Sequence, residues 1–275
     1  MLKTIARHTV VGASAVSLAI LTAACGTEET SGPQGKSGSS DASPSPAPTR
    51  SGVEKLPAKT VLAKARRALQ DAESFRMRET TSELGWRSNV MIDMSGDCTG
   101  TAREGGERQN GQVVDRGDLS ETIKRGDMAW VKADPGLWAL EMPVGPQLAE
   151  KLKGKYGYAR AFDLNTRLGG CSNAEKVLRE SHDAWDGEGA TKGSVVKIGG
   201  RKAIPVTTNG FRKVTVYVAM EGKPLPLRIR NSEDRPWPTT WNFSEFGKPL
   251  PTRTPTKAET VDLRKAYEKS WENTS

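Results

Sequence analysis

Lys213-Val214-Thr215-Val216-Tyr217-Val218-Ala219, followed by Met220-Glu221-Gly222-Lys223-Pro224-Leu225-Pro226-Leu227-Arg228-Ile229, decides the fold class. Val214, Val216 and Val218 recur with a period of two, with Thr215 and Tyr217 between them. That period places the valines on one face of a strand. After the turn at Glu221-Gly222-Lys223, Leu225, Leu227 and Ile229 are expected to share a face opposite Pro226 and Arg228. Proline donates nothing to a β-ladder, so Pro224 and Pro226 predict an edge or bulged strand.

The same alternation extends outward in both directions. Lys202 to Val206 and Val195 to Ile198 flank Gly199-Gly200, a two-residue hairpin signal. Trp241 and Phe243 begin a further strand. Upstream, Phe75 and Met77 alternate with Arg76 and Arg78, and Val90, Ile92 and Met94 with Met91, Asp93 and Ser95. Gln112 to Asp115, Ser120 to Lys124 and Met128 to Lys132 repeat the pattern, with Gly117 and Gly126 at turns. A helix is expected from about Pro57 to Asp71, because Val61, Leu62, Ala65 and Leu69 fall at helical spacing. Pro146 to about Asp186 reads as a helical insert, with one short stripe at Leu148 and Leu152 and another at Ala174, Val177 and Leu178. Lys257 to Trp271 reads as a charged terminal helix. No regular strand–helix alternation appears, so the expected class is α+β with a mostly antiparallel sheet.

The amino end is of another kind. Lys3 and Arg7 precede an apolar run from Val10 to Ile20, and Ala23-Ala24-Cys25-Gly26 follows. A positive start, a short apolar run and small residues make an export signal. Small-small-Cys-Gly is the lipobox pattern, in which the Cys25 thiol receives a diacylglyceryl group. Thr22 stands where an aliphatic residue is usual, which leaves an ordinary cleaved signal as the alternative. The apolar run is too short for a membrane span of about 20 residues. Gly26 to Gly52 holds almost no large apolar residue and reads as a tether of solvated chain. The expected organisation is therefore a signal at 1–24, lipidated Cys25 with a tether to 55, a folded domain at 56–262, and a charged helix or tail at 263–275.

The formal charge of +8 loses two units with Lys3 and Arg7. The remaining excess suits either solubility or approach to anionic headgroups and envelope polymers. Of three cysteines, Cys98 and Cys171 remain after Cys25, and an even pair in an exported chain reads as a disulfide. Closing a loop of about 74 residues is worth roughly 4 kcal/mol in the chain-entropy model. No metal site is expected, since the mature chain keeps one histidine, His182.

The second-half string Val216-Tyr217-Val218-Ala219, Gly222-Lys223-Pro224-Leu225-Pro226-Leu227-Arg228-Ile229 and Trp241-Asn242-Phe243-Ser244-Glu245-Phe246-Gly247-Lys248-Pro249-Leu250, with Pro255 and the earlier Trp130-Val131-Lys132, resembles the LolA-like and LppX/LprG-like envelope lipoproteins. The resemblance spans roughly residues 55 to 262. It implies a curved antiparallel half-barrel, helices packed over the concave face, and a hydrophobic cavity for acyl chains. Under it, Val214, Val216, Val218, Leu225, Leu227 and Ile229 are expected to line the cavity. Alternation by itself says only that each strand buries one face, against helices or against a lipid tail. The Cys98–Cys171 pair is not part of the general family pattern.

Catalytic signals are sparse. His182 lies among Glu180, Ser181 and Asp183 in a polar stretch, and no nucleophile elbow, phosphate-binding glycine loop or zinc-protease motif occurs. Asp93 and Asp97 flank a turn but are far short of a calcium shell. Seven scattered tryptophans, Trp86, Trp130, Trp138, Trp185, Trp237, Trp241 and Trp271, suit packing or a carbohydrate platform. The expectation is a monomeric, non-enzymatic protein on the extracytoplasmic face of the cell membrane. It needs no cofactor, contacts no nucleic acid, and holds an amphipathic lipid. The alternative is a surface lipoprotein that serves as a protein-interaction or sensor module.

Overall fold

A computed structural model describes residues 49–81, 85–103, 107–109, 112–114, 119–141, 146–167, 169–179, 185, 187, 189–209, 213–231 and 238–272. The leader, Cys25 and the tether up to residue 48 lie outside the described residues, as do His182 and Trp237.

Among the described residues, fifteen strands occur in chain order: β1 Ser74–Thr81, β2 Arg87–Asp93, β3 Cys98–Arg103, β4 Glu107–Gln109, β5 Gln112–Val114, β6 Leu119–Arg125, β7 Met128–Ala133, β8 Tyr156–Arg160, β9 Thr191–Lys192, β10 Val196–Ile198, β11 Arg201–Asn209, β12 Lys213–Ala219, β13 Pro226–Asn231, β14 Thr239–Ser244 and β15 Thr260–Asp262. Helices are α1 Ala58–Gln70, α2 Pro135–Glu141, α3 Pro146–Leu152, α4 Gly170–Arg179 and α5 Leu263–Glu272. All strands but the β4–β5 hairpin join one sheet, ordered β10-β11-β12-β13-β14-β1-β2-β3-β6-β7-β8-β15, with β9 beside β11. The two ends do not pair, so the sheet is curled but unclosed. Every pairing is antiparallel except β8 with β15. The expected α+β half-barrel architecture is the observed one.

Burial follows the strand period. In β1, Phe75, Met77 and Glu79 are buried and Arg78 and Thr80 are exposed. The buried set faces the helices. α1 contributes Val61, Leu62, Ala65 and Leu69, each at most 2 % exposed, to a core shared with Phe75, Met77, Val206, Val216, Val218 and Phe243. Phe75 and Phe243 meet with ring centroids 5.5 Å apart and tilted planes, a favoured aromatic arrangement. The chain passes from α1 into β1 through Glu73, at φ 63°. A left-handed conformation there costs an L-residue about 1 kcal/mol and turns the backbone within a single residue.

Several expectations are corrected. The folded body reaches back to Thr49, within the span read as tether, because Val53 is fully buried and Ser51 donates to the Met220 carbonyl at 2.8 Å. Within the span read as a helical insert, Tyr156–Arg160 is a strand. Gly157 keeps it there. A Cβ at that position would lie 2.9 Å from Leu263 Cδ2 and 3.0 Å from Trp138. The terminal segment starts as a 3-10 turn and a strand before the helix begins at Leu263. β13 is not an edge, since β12 and β14 flank it. Its prolines are accommodated by the other device expected, a bulge between Tyr217 and Val218.

Candidate ligand-binding face

The register assembles the helix-covered face of the sheet row by row. Met77 sits opposite Phe243 on one side and Val90 on the other, and Val90 sits opposite Gly100. One step along, Glu79 sits opposite Trp241 and Ser88, Ser88 opposite Ala102, and Ala102 opposite Ser120. The face therefore changes from an apolar row to a polar one within a single two-residue step, about 7 Å.

Glu79 is the centre of the polar row and only 5 % exposed. Its Oε2 accepts hydrogen bonds from Trp86 Nε1 at 3.1 Å, Ser88 Oγ at 3.2 Å and Asn173 Nδ2 at 2.9 Å. A buried carboxylate demands such donors, because leaving one unsatisfied costs several kcal/mol. Its strand partner Trp241 has the opposite problem. The Trp241 Nε1 is buried and has no hydrogen-bond partner. An orphan indole donor at the boundary of the apolar and polar rows is a ready contact for a ligand oxygen.

α4 lies over β2 and β3 under several constraints. Cys171 is bridged to Cys98, 73 positions earlier, as expected from the sequence. Asn173 reaches Glu79. Glu175 forms an ion pair with Lys124, whose Nζ also donates to the Gly96 carbonyl at 3.0 Å. Gly170 permits the approach, since a Cβ there would lie 2.6 Å from Ser88 Cβ and 2.8 Å from Val90 Cγ1.

The six residues expected to line a cavity do not stay together. Val214, Val216, Val218 and Ile229 join the main core. Of these, Val216 and Val218 are fully buried in the core that α1 covers. Leu225 packs with Ala68, Ala72 and Phe246. Leu227 packs with Ala203 and Ala219 instead. The bulge explains this: Tyr217 pairs with Arg228 and Val218 with Pro226, so Leu227 drops out of register. Leu227 and Ile229 consequently do not share a face.

Asp93 and Asp97 are consumed by their own turn. Asp93 Oδ1 accepts from Ser95 N at 2.9 Å, Ser95 Oγ at 2.6 Å and Asp97 N at 3.0 Å, and Asp97 Oδ1 accepts from Gly126 N at 2.7 Å. They border an open cleft of about 720 Å³ at one end of the sheet, with Met94, Arg125 and the Gly247–Thr252 segment. Arg125 is spent on carbonyls there, those of Cys98 at 3.0 Å, Lys124 at 2.7 Å and Pro251. Among the described residues no cluster of three or more His, Cys, Asp or Glu has a metal-binding arrangement. The described tryptophans form no common platform: Trp138 and Trp185 are in the core, Trp86 serves Glu79, and Trp130 is paired with Tyr158 at the β7–β8 register. At the same edge, burial first and then a hydrogen bond to Glu121 push the Tyr156 phenol well above its usual value.

The Glu79 network was missed in the sequence although its signal was present. Glu79 stands in phase with Phe75 and Met77, so the β1 period already places a carboxylate on the buried side.

The fold and face together describe an unclosed, curled antiparallel sheet with helices over one side. No family model matches the chain, and no curated protein matches it. Among solved structures it is similar to LprF from Mycobacterium bovis, with 13 % identity over 72 % of this chain and 97 % of that one and a TM-score of 0.48. It is also similar to the Mycobacterium tuberculosis lipoprotein LppX, at 14 % identity over 70 % of this chain and 98 % of that one, TM-score 0.40. A third is a putative outer membrane lipoprotein-sorting protein domain from Vibrio parahaemolyticus, at 11 % identity over 70 % and 95 %, TM-score 0.24.

Proposed function

We propose that this chain is an exported lipoprotein, acylated at Cys25, whose domain holds an amphipathic lipid against the helix-covered face of its sheet without catalysing a reaction. The observation that carries the reading is the orphan Trp241 indole at the step from the Met77–Phe243–Val90 row to the Glu79 row. A hydrocarbon tail lies along the apolar row, and an ester or carboxyl oxygen accepts from Trp241 Nε1. Apolar burial at ~25 cal/mol per Å² supplies the affinity. The disulfide supports an oxidising compartment. Side chains of α1 fill the space over β11 to β13, so a tail enters only when α1 lifts.

The test is native mass spectrometry and organic extraction of the purified full chain, with a fluorescent fatty acid titrated into the delipidated protein. Bound lipid in the first measurement and saturable uptake in the second are expected, and Trp241→Phe weakens uptake while keeping the ring. If neither lipid nor uptake is found, the lipid reading is wrong. The dense packing beneath α1 would then favour a protein-interaction module whose core never opens. Replacing Cys25 by Ser releases the chain from the membrane fraction if the anchor is as proposed.

A further inference from the structure

One end of the sheet forms a rim on which three separate features meet. With neighbouring strands antiparallel, the β2–β3, β6–β7, β10–β11 and β12–β13 turns fall at this end, together with the start of β1 and the ends of β8 and β14. The chain also enters the folded body here. Gly222 N, in the β12–β13 turn, donates to the Thr49 carbonyl at 2.8 Å, and Arg50 bridges to Glu221. Leu225, between β12 and β13, packs on Ala72 and Phe246. Glu73 and Gly247, the next residue after each, line the 720 Å³ cleft with Met94, Ser95 and Leu250. Ser95 also lines a second cleft, of about 480 Å³, which it shares with Phe162.

Phe162 is the outlier on this rim. It is 84 % exposed, more than any other large apolar side chain among the described residues, and Met94 is 36 % exposed. The backbone that carries Phe162 is pinned. Ala161 and Leu164 on either side are buried in the core. Ala161 N donates to the Asp127 carbonyl at 2.7 Å, and Arg160 pairs with Asp163 at 3.2 Å. The 3-10 turn Ala161–Arg167 thus holds the phenyl ring out in water. A pinned backbone cannot turn the ring inward, so only an apolar phase from outside can remove it from solvent.

We infer that this rim rests on a lipid bilayer, with Phe162 seated at the boundary of headgroups and acyl chains and Met94 beside it. The place where the chain joins the body selects that occupant. A solvated span of n residues typically reaches ~5–6 Å × √n, roughly 25–30 Å for the chain between Cys25 and Thr49. That is about the length of one eight-residue strand, ~27 Å. An anchor at Cys25 therefore delivers the end that receives Thr49 to the membrane in preference to the far end. Charge does not drive the contact. The cations flanking Phe162 are already paired, Lys124 with Glu175 and Arg160 with Asp163, so the contact is apolar and persists at high salt. This inference rests on the proposed anchor at Cys25, and not on what the helix-covered face holds.

The experiment places the full chain, with Cys98 and Cys171 joined, on phosphatidylcholine vesicles doped with a phospholipid that carries a diazirine near the start of its acyl chain. The chain is used acylated at Cys25. Where mass spectrometry finds no acyl group, the Cys25 thiol is coupled to a maleimide phospholipid instead, so failure of the anchor reading leaves this test in place. After illumination, cross-linked peptides are mapped by mass spectrometry, and cross-links to Trp241, which a held lipid would give, are counted apart. The expected result is labelling concentrated on residues 161–164 and 94–96 and equal at about 0.05 and 0.5 M salt. Phe162→Asp lowers it at both places roughly tenfold, the scale of one phenylalanine leaving an apolar phase. Because the side chain is exposed, the urea midpoint of that variant matches the parent. Val195→Asp, at another exposed apolar residue on the β9–β10 edge, leaves the labelling unchanged. Even labelling of both ends of the sheet overturns the docking, as does labelling centred on Val195–Val196 or on α1. Labelling at 94–96 that survives Phe162→Asp overturns it too, and so does labelling lost at the higher salt, which would mark an electrostatic contact.

Discussion

α1 and α4 cover the same side of one sheet by opposite means. α1 lies over β11 to β13 through Val61, Leu62, Ala65 and Leu69, side chains that offer burial and no directional bond. α4 lies over β2 and β3 through a disulfide, an ion pair, an amide bonded to a buried carboxylate, and a glycine that lets its backbone touch the strand. Apolar contact tolerates sliding and separation in a way that a covalent link and matched hydrogen bonds do not. The contrast assigns the fixed wall of the face to α4 and the movable one to α1.

The largest expected effect removes the fixed wall. Cys98→Ser with Cys171→Ser costs roughly 4 kcal/mol in the chain-entropy model, read from urea denaturation. Amide exchange in α4 then approaches that in α1. An α4 as protected as before would show that the polar pins suffice without the bridge. Next, Leu62→Ala deletes a fully buried side chain of α1 and costs about 3 kcal/mol. Exchange rises in α1 and β12 and stays put in α4. Equal loosening of both helices would mean that the two walls are a single cooperative unit. The smallest effect, about 1–2 kcal/mol, is expected from Glu79→Gln, which keeps the shape but turns one acceptor oxygen into a donor. Thermal melts read the loss, and if Asn173 is a true pin, Asn173→Ala added to Glu79→Gln costs less than it does alone.

The same contrast explains what the sequence made visible. α1 was legible because its stripe of Val61, Leu62, Ala65 and Leu69 is all it has. β12 was legible because three valines alternate with two polar residues. β3 was passed over: Cys-Thr-Gly-Thr-Ala-Arg has no large apolar alternation, since its inward positions are a cysteine, a glycine and an alanine that make room for α4. β8 was hidden in an apparent helical insert, because its inward positions, buried Gly157 and half-buried Ala159, are small. β15 pairs in parallel with a strand some hundred positions earlier, and nothing local signals such a partner. Period also misplaced Leu227, because a bulge adds one residue to one strand and reverses every face beyond it. The two cysteines were readable as a pair, but that they fasten a helix to a strand became apparent only with the packing. The readings at the amino end, and that of His182, lie outside the described residues.

The middle of the sheet is joined by β1 and β14, with Arg76 opposite Ser244 and Thr81 opposite Thr239. These partners are separated by most of the chain. While synthesis is incomplete, β1 has an open backbone edge of eight residues, Ser74 to Thr81, waiting for a mate that emerges late. Distant pairings of this kind slow folding, and an unmated edge recruits other chains. If the chain is exported as proposed, passage across a membrane as an extended thread, with collapse deferred until residue 244 has arrived, sidesteps that hazard. Fragments ending before Thr239 should clump where the whole chain stays dispersed.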